Sequence, residues 1–169
     1  PNENRKLSVR FYYPSVPSTG FIPYPYLGKK MRYFQQYIAT QYHLPHAITK
    51  LIFSNIKTHA YENPPFASDT TKYPIVLFSH GLLGFPSDAY AAILENLASH
   101  GYIVVAIDHP YFNGLTLYQN DQVLTSQKLS DEFNKMKPAQ QKEFQTQAIE
   151  RYKADSKFVL DELAKLNAD

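Results

Sequence analysis

The most constraining feature of the sequence is a block of 35 consecutive residues, 74–108, that contains two uninterrupted apolar runs. The first run covers residues 74–79 (PIVLFS) and the second covers residues 102–108 (YIVVAID). Runs of this kind are typical of strands that are buried on both faces of a parallel sheet. Both runs end in a polar residue, which places polar chemistry at the carboxyl end of each predicted strand.

The stretch between the two runs carries the pattern of a helix. Its apolar residues recur at helical spacing, at Tyr90, Ile93, Leu94 and Leu97. Ser87 is a candidate N-cap with Asp88 in the first turn, and Gly101 is a candidate C′ glycine. Strand, helix, glycine and strand together predict a βαβ unit with parallel strands and a right-handed crossover.

The flanking sequence extends this unit into an α/β fold. It predicts a strand at 7–14, a proline-rich loop at 14–25, a helix at 29–40, a second loop at 62–72, a polar excursion at 113–138 and a long helix at about 140–167. A complete, small flavodoxin-like domain is an alternative, although three strands are too few for one. The 169 residues are predicted to form one domain.

Composition excludes several classes of protein. The 17 Lys and Arg residues nearly balance the 15 Asp and Glu residues, so binding of a polyanion through net charge is not expected. Because the chain has no Cys, it holds neither disulfides nor thiolate sites. It has no phosphate-binding glycine motif and no RNA-binding motif, so we predict no nucleotide cofactor and no nucleic-acid partner. No apolar run approaches the roughly 20 residues of a membrane span.

Residues 44–56 form one apolar stripe at helical spacing. Its members are Leu44, Ala47, Ile48, Leu51 and Ile52, widened by Phe53 and Ile56. Two interpretations of this stripe stay open. In the first, the helix packs the stripe on the core; in the second, the helix lies in a lipid interface.

Two segments follow the predicted parallel strands and therefore share the sheet edge where such folds bind ligands. They are residues 80–84 (HGLLG) and residues 108–110 (DHP). A glycine-containing turn between a strand and a helix can aim free backbone N–H groups at a developing oxyanion. The alternative is that the glycines serve the turn alone.

Three other groupings that contain histidine give weaker indications of a catalytic or metal site. Ser79 and His80 are adjacent on a strand and point to opposite faces, so they are not expected to form a catalytic dyad. We expect Asp108 and His109 to anchor the loop, with His109 buried and hydrogen-bonded. The pair at 43 and 46 lacks further ligands, and we predict no metal site.

Residues 11–15 (FYYPS), 72–82 (KYPIVLFSHGL) and 97–109 (LASHGYIVVAIDH) resemble the plasma-type platelet-activating factor acetylhydrolases, which are group VII phospholipases of the α/β-hydrolase superfamily. The resemblance is near-continuous from residue 73 to residue 109, and weaker matches extend over nearly the whole chain. It implies cleavage of the sn-2 ester of phospholipids with short or oxidised acyl chains, without calcium or another cofactor.

The resemblance also implies roles for particular residues. Leu82 would donate one oxyanion-hole N–H, and His80 and Gly81 would shape the turn. The lipid or substrate interface would comprise Leu44, Ile48, Leu51, Ile52, Phe53 and Phe85. The resemblance also implies a secreted or periplasmic location.

One departure from the family pattern is large, because no serine of the chain lies in a G-x-S-x-G motif. We therefore expect residues 1–169 to be an incomplete α/β-hydrolase that ends before the nucleophile elbow and pairs with the carboxy-terminal half of the same hydrolase. Two alternatives stay open: a catalytically incomplete module that binds lipid or a protein partner, and a relative of the esterases and dienelactone hydrolases that acts on soluble esters.

Overall fold

The computed structural model describes residues 5–16, 20–68, 72–118 and 120–166. Its strands are β1 (Ser8–Tyr12), β2 (Ile75–Ser79), β3 (Ile103–Asp108), β4 (Leu115–Leu117) and β5 (Val123–Thr125). Its helices are α1 (Met31–Gln41), α2 (His46–Phe53), α3 (Ala91–Ser99), α4 (Gln127–Lys135) and α5 (Pro138–Leu166). Strands and helices alternate through the first two thirds of the chain, which confirms the predicted α/β class.

The chain divides into two compact units. The first unit comprises residues 1–8, 79–85 and 107–169, and it contains β4, β5, α4 and α5. The second unit comprises residues 9–78 and 86–106, and it contains β1, α1, α2 and α3. That the whole chain forms a single domain stays a prediction.

The larger sheet has three strands in the order β1-β3-β2. At the start of the pair β2 and β3, the N–H of Ile103 donates to the carbonyl of Pro74 at 2.9 Å. At the end of the same pair, the ring of His109 lies 2.9 Å from the hydroxyl of Ser79. The two strands therefore run in the same direction, and the predicted parallel pair is confirmed.

The two strands of this pair differ in burial. Val104, Val105, Ala106 and Ile107 in β3 are fully buried, because β3 is the central strand. In β2, Ile75 is 50% exposed and Ser79 is also exposed. The prediction that β2 is buried on both faces is therefore wrong for the described chain, since β2 lies at an edge of the three-stranded sheet.

The core of the second unit confirms the predicted helical stripe. It consists of buried side chains from β1, α3 and β3, with three half-buried neighbours: Tyr12, Leu94, Ala98, Val104 and Ala106, packed by Phe78, Tyr90 and Leu97. The apolar residues of the helical pattern face this core, apart from Ile93, which is 55% exposed. Gly101 has a φ of 89°, so the helix ends at the predicted glycine.

The start of this helix differs from the prediction. Ser87 does not cap it, because Ser87–Tyr90 form a 3₁₀ turn and α3 begins only at Ala91. Asp88 is instead 2% exposed, and its carboxylate lies 2.9 Å from the ammonium of Lys30 and 3.3 Å from the guanidinium of Arg10. A buried carboxylate between two cations ties the loop before α3 to the rest of the second unit.

The predicted polar excursion contains regular structure. Strands β4 and β5 pair antiparallel, with Leu115 opposite Thr125, and α4 follows them. The sequence did not indicate these three-residue strands, because they are too short to establish an alternating pattern. The long helix predicted at about 140–167 is confirmed as α5.

Within the described residues, no helix combines the length and the apolar character that crossing a membrane requires.

Candidate active site

The segment after β2, residues 80–84, forms a tight turn that we call the 80–84 turn. The N–H of Gly84 donates to the carbonyl of Gly81 at 3.0 Å, and Leu83 has a φ of 53°. A positive φ at leucine is uncommon, so the neighbouring structure must hold this conformation. Two bonds from the following loop do so: Leu83 N–H to Phe112 O at 2.6 Å, and Gly114 N–H to Gly84 O at 2.5 Å.

The backbone N–H of Leu82 lies in the middle of this turn. Its neighbours at Leu83 and Gly84 both donate hydrogen bonds within the protein. Of the residues that the structure describes, none accepts a hydrogen bond from the Leu82 N–H. In the described part of the chain, the N–H of Gly81 likewise has no acceptor, so Leu82 is one of two backbone donors in the turn that are open to a ligand. Leu82 is the residue for which the family resemblance implies that role.

The space beside the turn is open at Gly81. A Cβ added there would meet no described atom within 4 Å. A Cβ at Gly84 would lie 3.0 Å from the carbonyl oxygen of Gly81, a tight contact, so the turn favours glycine at this position. The two glycines therefore differ: Gly84 closes the turn, whereas Gly81 leaves room next to the free N–H.

His80 is buried, with 3% of its surface exposed, and both ring nitrogens are engaged. Its Nε2 accepts the backbone N–H of His109 at 2.9 Å, so the ring hydrogen is on Nδ1. Nδ1 donates to the carbonyl of Gly81 at 2.8 Å. His80 thus supports the turn from inside, and it forms no dyad with Ser79, in agreement with the sequence analysis.

His109 is fully buried and hydrogen-bonded, as predicted. Its Nδ1 lies 2.8 Å from Oδ2 of Asp155, and its Nε2 lies 2.9 Å from the hydroxyl of Ser79. The ring of Tyr152 stacks on the imidazole, with centroids 3.8 Å apart and planes inclined by 9°. We call Ser79, His80, His109 and Asp155 the His109 network.

The Ser79–His109–Asp155 distances match those of a hydrolytic triad, but the surroundings differ from those of one. A catalytic imidazole must pass its proton to a leaving group, and His109 is 0% exposed and covered by Tyr152. Asp155 is already paired with the guanidinium of Arg5 at 2.8 Å, which reduces its capacity to stabilise an imidazolium. The geometry therefore favours a structural role for this array.

Asp155 was not predicted as a site residue from the sequence, because it lies 46 residues from His109. One signal was present. Ala148 and Val159 are buried positions on one stripe of α5, and Asp155 occupies the same stripe at the intervening helical spacing. A carboxylate in an otherwise apolar stripe indicates a buried partner.

The stripe at 44–56 is largely exposed. The exposed fractions are 38% for Leu44, 43% for Ile48, 67% for Leu51 and 52% for Ile52. In α2 the fully buried residue is Thr49, whose hydroxyl donates to His46 O at 2.9 Å. We call the four exposed residues, together with Ile56, the apolar face of α2.

Two residues of the predicted interface lie elsewhere. Phe53 is half-buried and packs edge-on against Phe34 of α1, with ring centroids 5.2 Å apart. Phe85 is half-buried and belongs to the first unit, next to the 80–84 turn in sequence. Neither contributes to the apolar face of α2.

Comparison with solved structures shows the fold. The chain resembles a ferulic acid esterase from Streptomyces cinnamoneus with a TM-score of 0.65 and 24% sequence identity. The match covers 92% of this chain and 38% of the esterase chain. The fold is that of the α/β-hydrolases, as predicted.

Curated sequences give a consistent result. A platelet-activating factor acetylhydrolase of Cavia porcellus is 37% identical over 112 residues, which are 63% of this chain and 24% of that protein. The corresponding protein of Canis lupus familiaris is 38% identical over 112 residues, which are 63% of this chain and 23% of that protein. The matched region thus spans about a quarter of the length of these relatives.

The family model described as platelet-activating factor acetylhydrolase, isoform II, matches residues 1–168. This match covers all the segments that carry the resemblance, including the 80–84 turn and His109. The chain therefore belongs to the platelet-activating factor acetylhydrolase, isoform II, family.

Proposed function

We propose that residues 1–169 are the amino-terminal part of a serine carboxylester hydrolase and supply the oxyanion turn of its active site. The observation that carries the proposal is the Leu82 N–H, which has no acceptor among the described residues and lies at the carboxyl end of a parallel strand. A preorganised N–H in this position stabilises the negative charge that develops on the carbonyl oxygen during acyl transfer.

The proposed reaction proceeds through a tetrahedral intermediate. A serine outside residues 1–169 attacks the ester carbonyl, and a histidine and an acidic residue, also outside this segment, activate that serine. Two observations support a catalytic triad outside this segment: residues 1–169 contain no G-x-S-x-G, and His109 is buried. Leu82 receives the oxyanion, while His80 and Gly81 keep its N–H in place.

For the substrate we propose the sn-2 ester of phospholipids with short or oxidised acyl chains. Membership of the family and the names of the two mammalian relatives support this choice. The alternative is a soluble ester. To distinguish a phospholipid from a soluble ester, turnover of the intact protein is measured with 2-acetyl and 2-palmitoyl phosphatidylcholines and with simple phenyl esters. We expect the 2-acetyl lipid to be cleaved in preference to the 2-palmitoyl lipid. Cleavage of the phenyl esters alone would favour a soluble ester as the substrate. A secreted or periplasmic location accompanies the lipid substrate as a prediction.

The test of the oxyanion turn is Gly81→Val in the intact protein. A Cβ at Gly81 meets no described atom within 4 Å and the residue has no positive φ, so we expect the variant to fold. A branched side chain there occupies the volume next to the Leu82 N–H, and we expect kcat to fall by about 100-fold with a small change in KM. The measurement is steady-state hydrolysis of an acetyl ester.

The matched control is Thr146→Val, a branched side chain on the exposed surface of α5. It should leave kcat unchanged. Unchanged turnover in Gly81→Val would show that the 80–84 turn does not face the reacting ester.

We also propose that the apolar face of α2 contacts a lipid surface. The specific observation is that four aliphatic side chains within one short segment are each more than a third exposed. A helix with such a face is suited to the boundary between headgroups and acyl chains. A module that binds lipid without catalysis would present the same face, and labelling of an active-site serine with a fluorophosphonate separates the two.

Vesicle flotation tests the lipid contact. The double variant Leu51→Asp, Ile52→Asp places two charges at the centre of the face and should reduce the bound fraction at least about 10-fold on phosphatidylcholine vesicles. Ile93→Asp is the matched control, because Ile93 is equally exposed but lies on α3. Equal flotation of all three proteins would exclude a role for this face.

A further inference from the structure

We propose that Asp155 is a positioning residue for the 80–84 turn and acts through His109. The inference rests on the proposed function, since it concerns the aim of the Leu82 N–H. It assigns a role in the reaction to a helix, α5, that carries no catalytic motif. Three linked contacts in the first unit support it.

The first contact fixes the ring of His109. Asp155 is 7% exposed, and its Oδ2 accepts a hydrogen bond from the guanidinium of Arg5 at 2.8 Å, so the same oxygen faces His109 as an acceptor. The hydrogen of His109 is therefore on Nδ1, 2.8 Å from the carboxylate. Nε2 then accepts the hydroxyl of Ser79 at 2.9 Å, which joins the end of β2 to the end of β3.

The second contact transmits this position to His80. The backbone N–H of His109 donates to Nε2 of His80, and Nδ1 of His80 donates to the carbonyl of Gly81. The carbonyl of Gly81 also accepts the N–H of Gly84 and so closes the turn. Each donor and acceptor in this series of hydrogen bonds has a defined partner. A displacement of His109 therefore changes the position of Gly81.

The third contact acts through the loop that follows His109. The N–H groups of Phe112 and Asn113 both donate to the carbonyl of His109, at 3.0 and 3.2 Å. The carbonyl of Phe112 accepts the N–H of Leu83. Leu82 thus lies between two residues, Gly81 and Leu83, that are both held from His109.

Helix α5 also fixes the plane of the imidazole. Tyr152, one turn before Asp155, stacks on His109 and lies 3.4 Å from the carbonyl of Phe112 through its hydroxyl. Removal of the Asp155 carboxylate leaves the ring able to rotate under this tyrosine. A rotation that moves an oxyanion donor by a fraction of an ångström weakens the bond formed in the transition state more than the binding of the substrate.

The kinetic test compares Asp155→Ala with Asp155→Asn in the intact protein. We expect Asp155→Ala to lower kcat for an acetyl ester by about 10-fold to 100-fold, below the loss expected for removing an oxyanion donor outright, with KM changed less than about threefold. Asn keeps an oxygen that accepts the Nδ1 hydrogen, and it should restore kcat to within about fivefold of the wild type. Asp161→Ala, which removes an exposed ion pair on the same helix, is the control and should have no effect.

Hydrogen exchange provides a measurement that is independent of activity. In Asp155→Ala, the amides of Leu83 and Gly84 should exchange at least about 10-fold faster than in the wild type, while those of β4 and β5 stay unchanged. If Asp155→Ala does not fold, Asp155→Ser, whose hydroxyl is too short to reach Nδ1, takes its place. If the wild type cleaves no ester while Asp155→Ala still exchanges faster at these amides, the proposed function is disproved and the positioning of the turn by Asp155 is retained.

Three results would overturn the inference. The first is a wild type that hydrolyses the ester while Asp155→Ala changes neither kcat nor exchange at the 80–84 turn. The second is an Asp155→Asn variant as impaired as Asp155→Ala. The third is complete loss of fluorophosphonate labelling in Ser79→Ala, since this would make Ser79, His109 and Asp155 the catalytic triad itself.

Discussion

The His109 network and the apolar face of α2 distribute polar and apolar side chains in opposite ways. His80, His109 and Asp155 are polar and are each less than a tenth exposed. Leu51 and Ile52 are aliphatic and are each more than half exposed. Both regions depart from the usual arrangement, in which apolar residues are buried and ionisable ones are solvated.

The two regions differ in whether the free-energy cost of their unusual exposure is offset within the described protein. In the network, every ring nitrogen of the two histidines has a partner within 3 Å, so the cost of burial is offset by hydrogen bonds. On α2, no described residue covers the aliphatic side chains to the extent that a core would. The network is therefore expected to contribute to the stability of the fold, whereas the face of α2 is expected to contribute to binding.

The largest expected effect is that of His109→Leu. The substitution leaves the buried carboxylate of Asp155 and the hydroxyl of Ser79 without their imidazole partner. We expect the free energy of unfolding to fall by about 3 kcal/mol, measured by urea denaturation. A loss below about 1 kcal/mol would mean that the His109 network contributes little to stability. It would then contradict the contrast between a stabilising network and a binding face.

Tyr12 combines both kinds of group, because its apolar ring lies in the core of the second unit and its hydroxyl is polar. Burial, reinforced by the charge of Asp88, raises the pKa of Tyr12 above the ordinary value near 10. Because the folded state holds the neutral phenol, its contribution is complete below pH 10 and is lost as the pH rises through the folded pKa. We expect stability to fall by up to about 1.4 kcal/mol per pH unit above pH 10.

Tyr12→Phe removes the titrating hydroxyl. Its unfolding free energy should fall less steeply above pH 10 than that of the wild type, as measured by denaturation at a series of pH values. Parallel curves for the two proteins would show that Tyr12 is not the source of the alkaline loss.

The smallest expected effect on stability is that of the double variant Leu51→Asp, Ile52→Asp. Since both side chains are more than half exposed, we expect a change of less than about 0.5 kcal/mol in the free energy of unfolding. A loss of 2 kcal/mol or more would show that the face is part of a core and would contradict its assignment to binding.

Local patterns predicted much of the fold. The βαβ unit was readable because two uninterrupted apolar runs and a terminal glycine are local signals, and the 80–84 turn follows from its place after a strand. The face of α2 could be located but not assigned, because amphipathic spacing does not specify whether the apolar side meets a core or a lipid.

Other features depend on contacts that are distant in sequence. Asp155 meets His109 only because α5 passes beside the end of β3, and no local pattern encodes that approach. Strands β4 and β5 form through pairing with each other, and neither has the length for a pattern of its own. The edge position of β2 follows from the order of strands, which the apolar run alone does not encode.

The most direct test of the central proposal is to treat the intact protein with a fluorophosphonate and to locate the adduct by peptide mass spectrometry. We expect one modified serine outside residues 1–169, with Ser79 unmodified and with labelling slowed in Gly81→Val. An adduct on Ser79, or no serine adduct at all, would contradict the proposal that this chain supplies the oxyanion turn to a nucleophile located elsewhere in the protein.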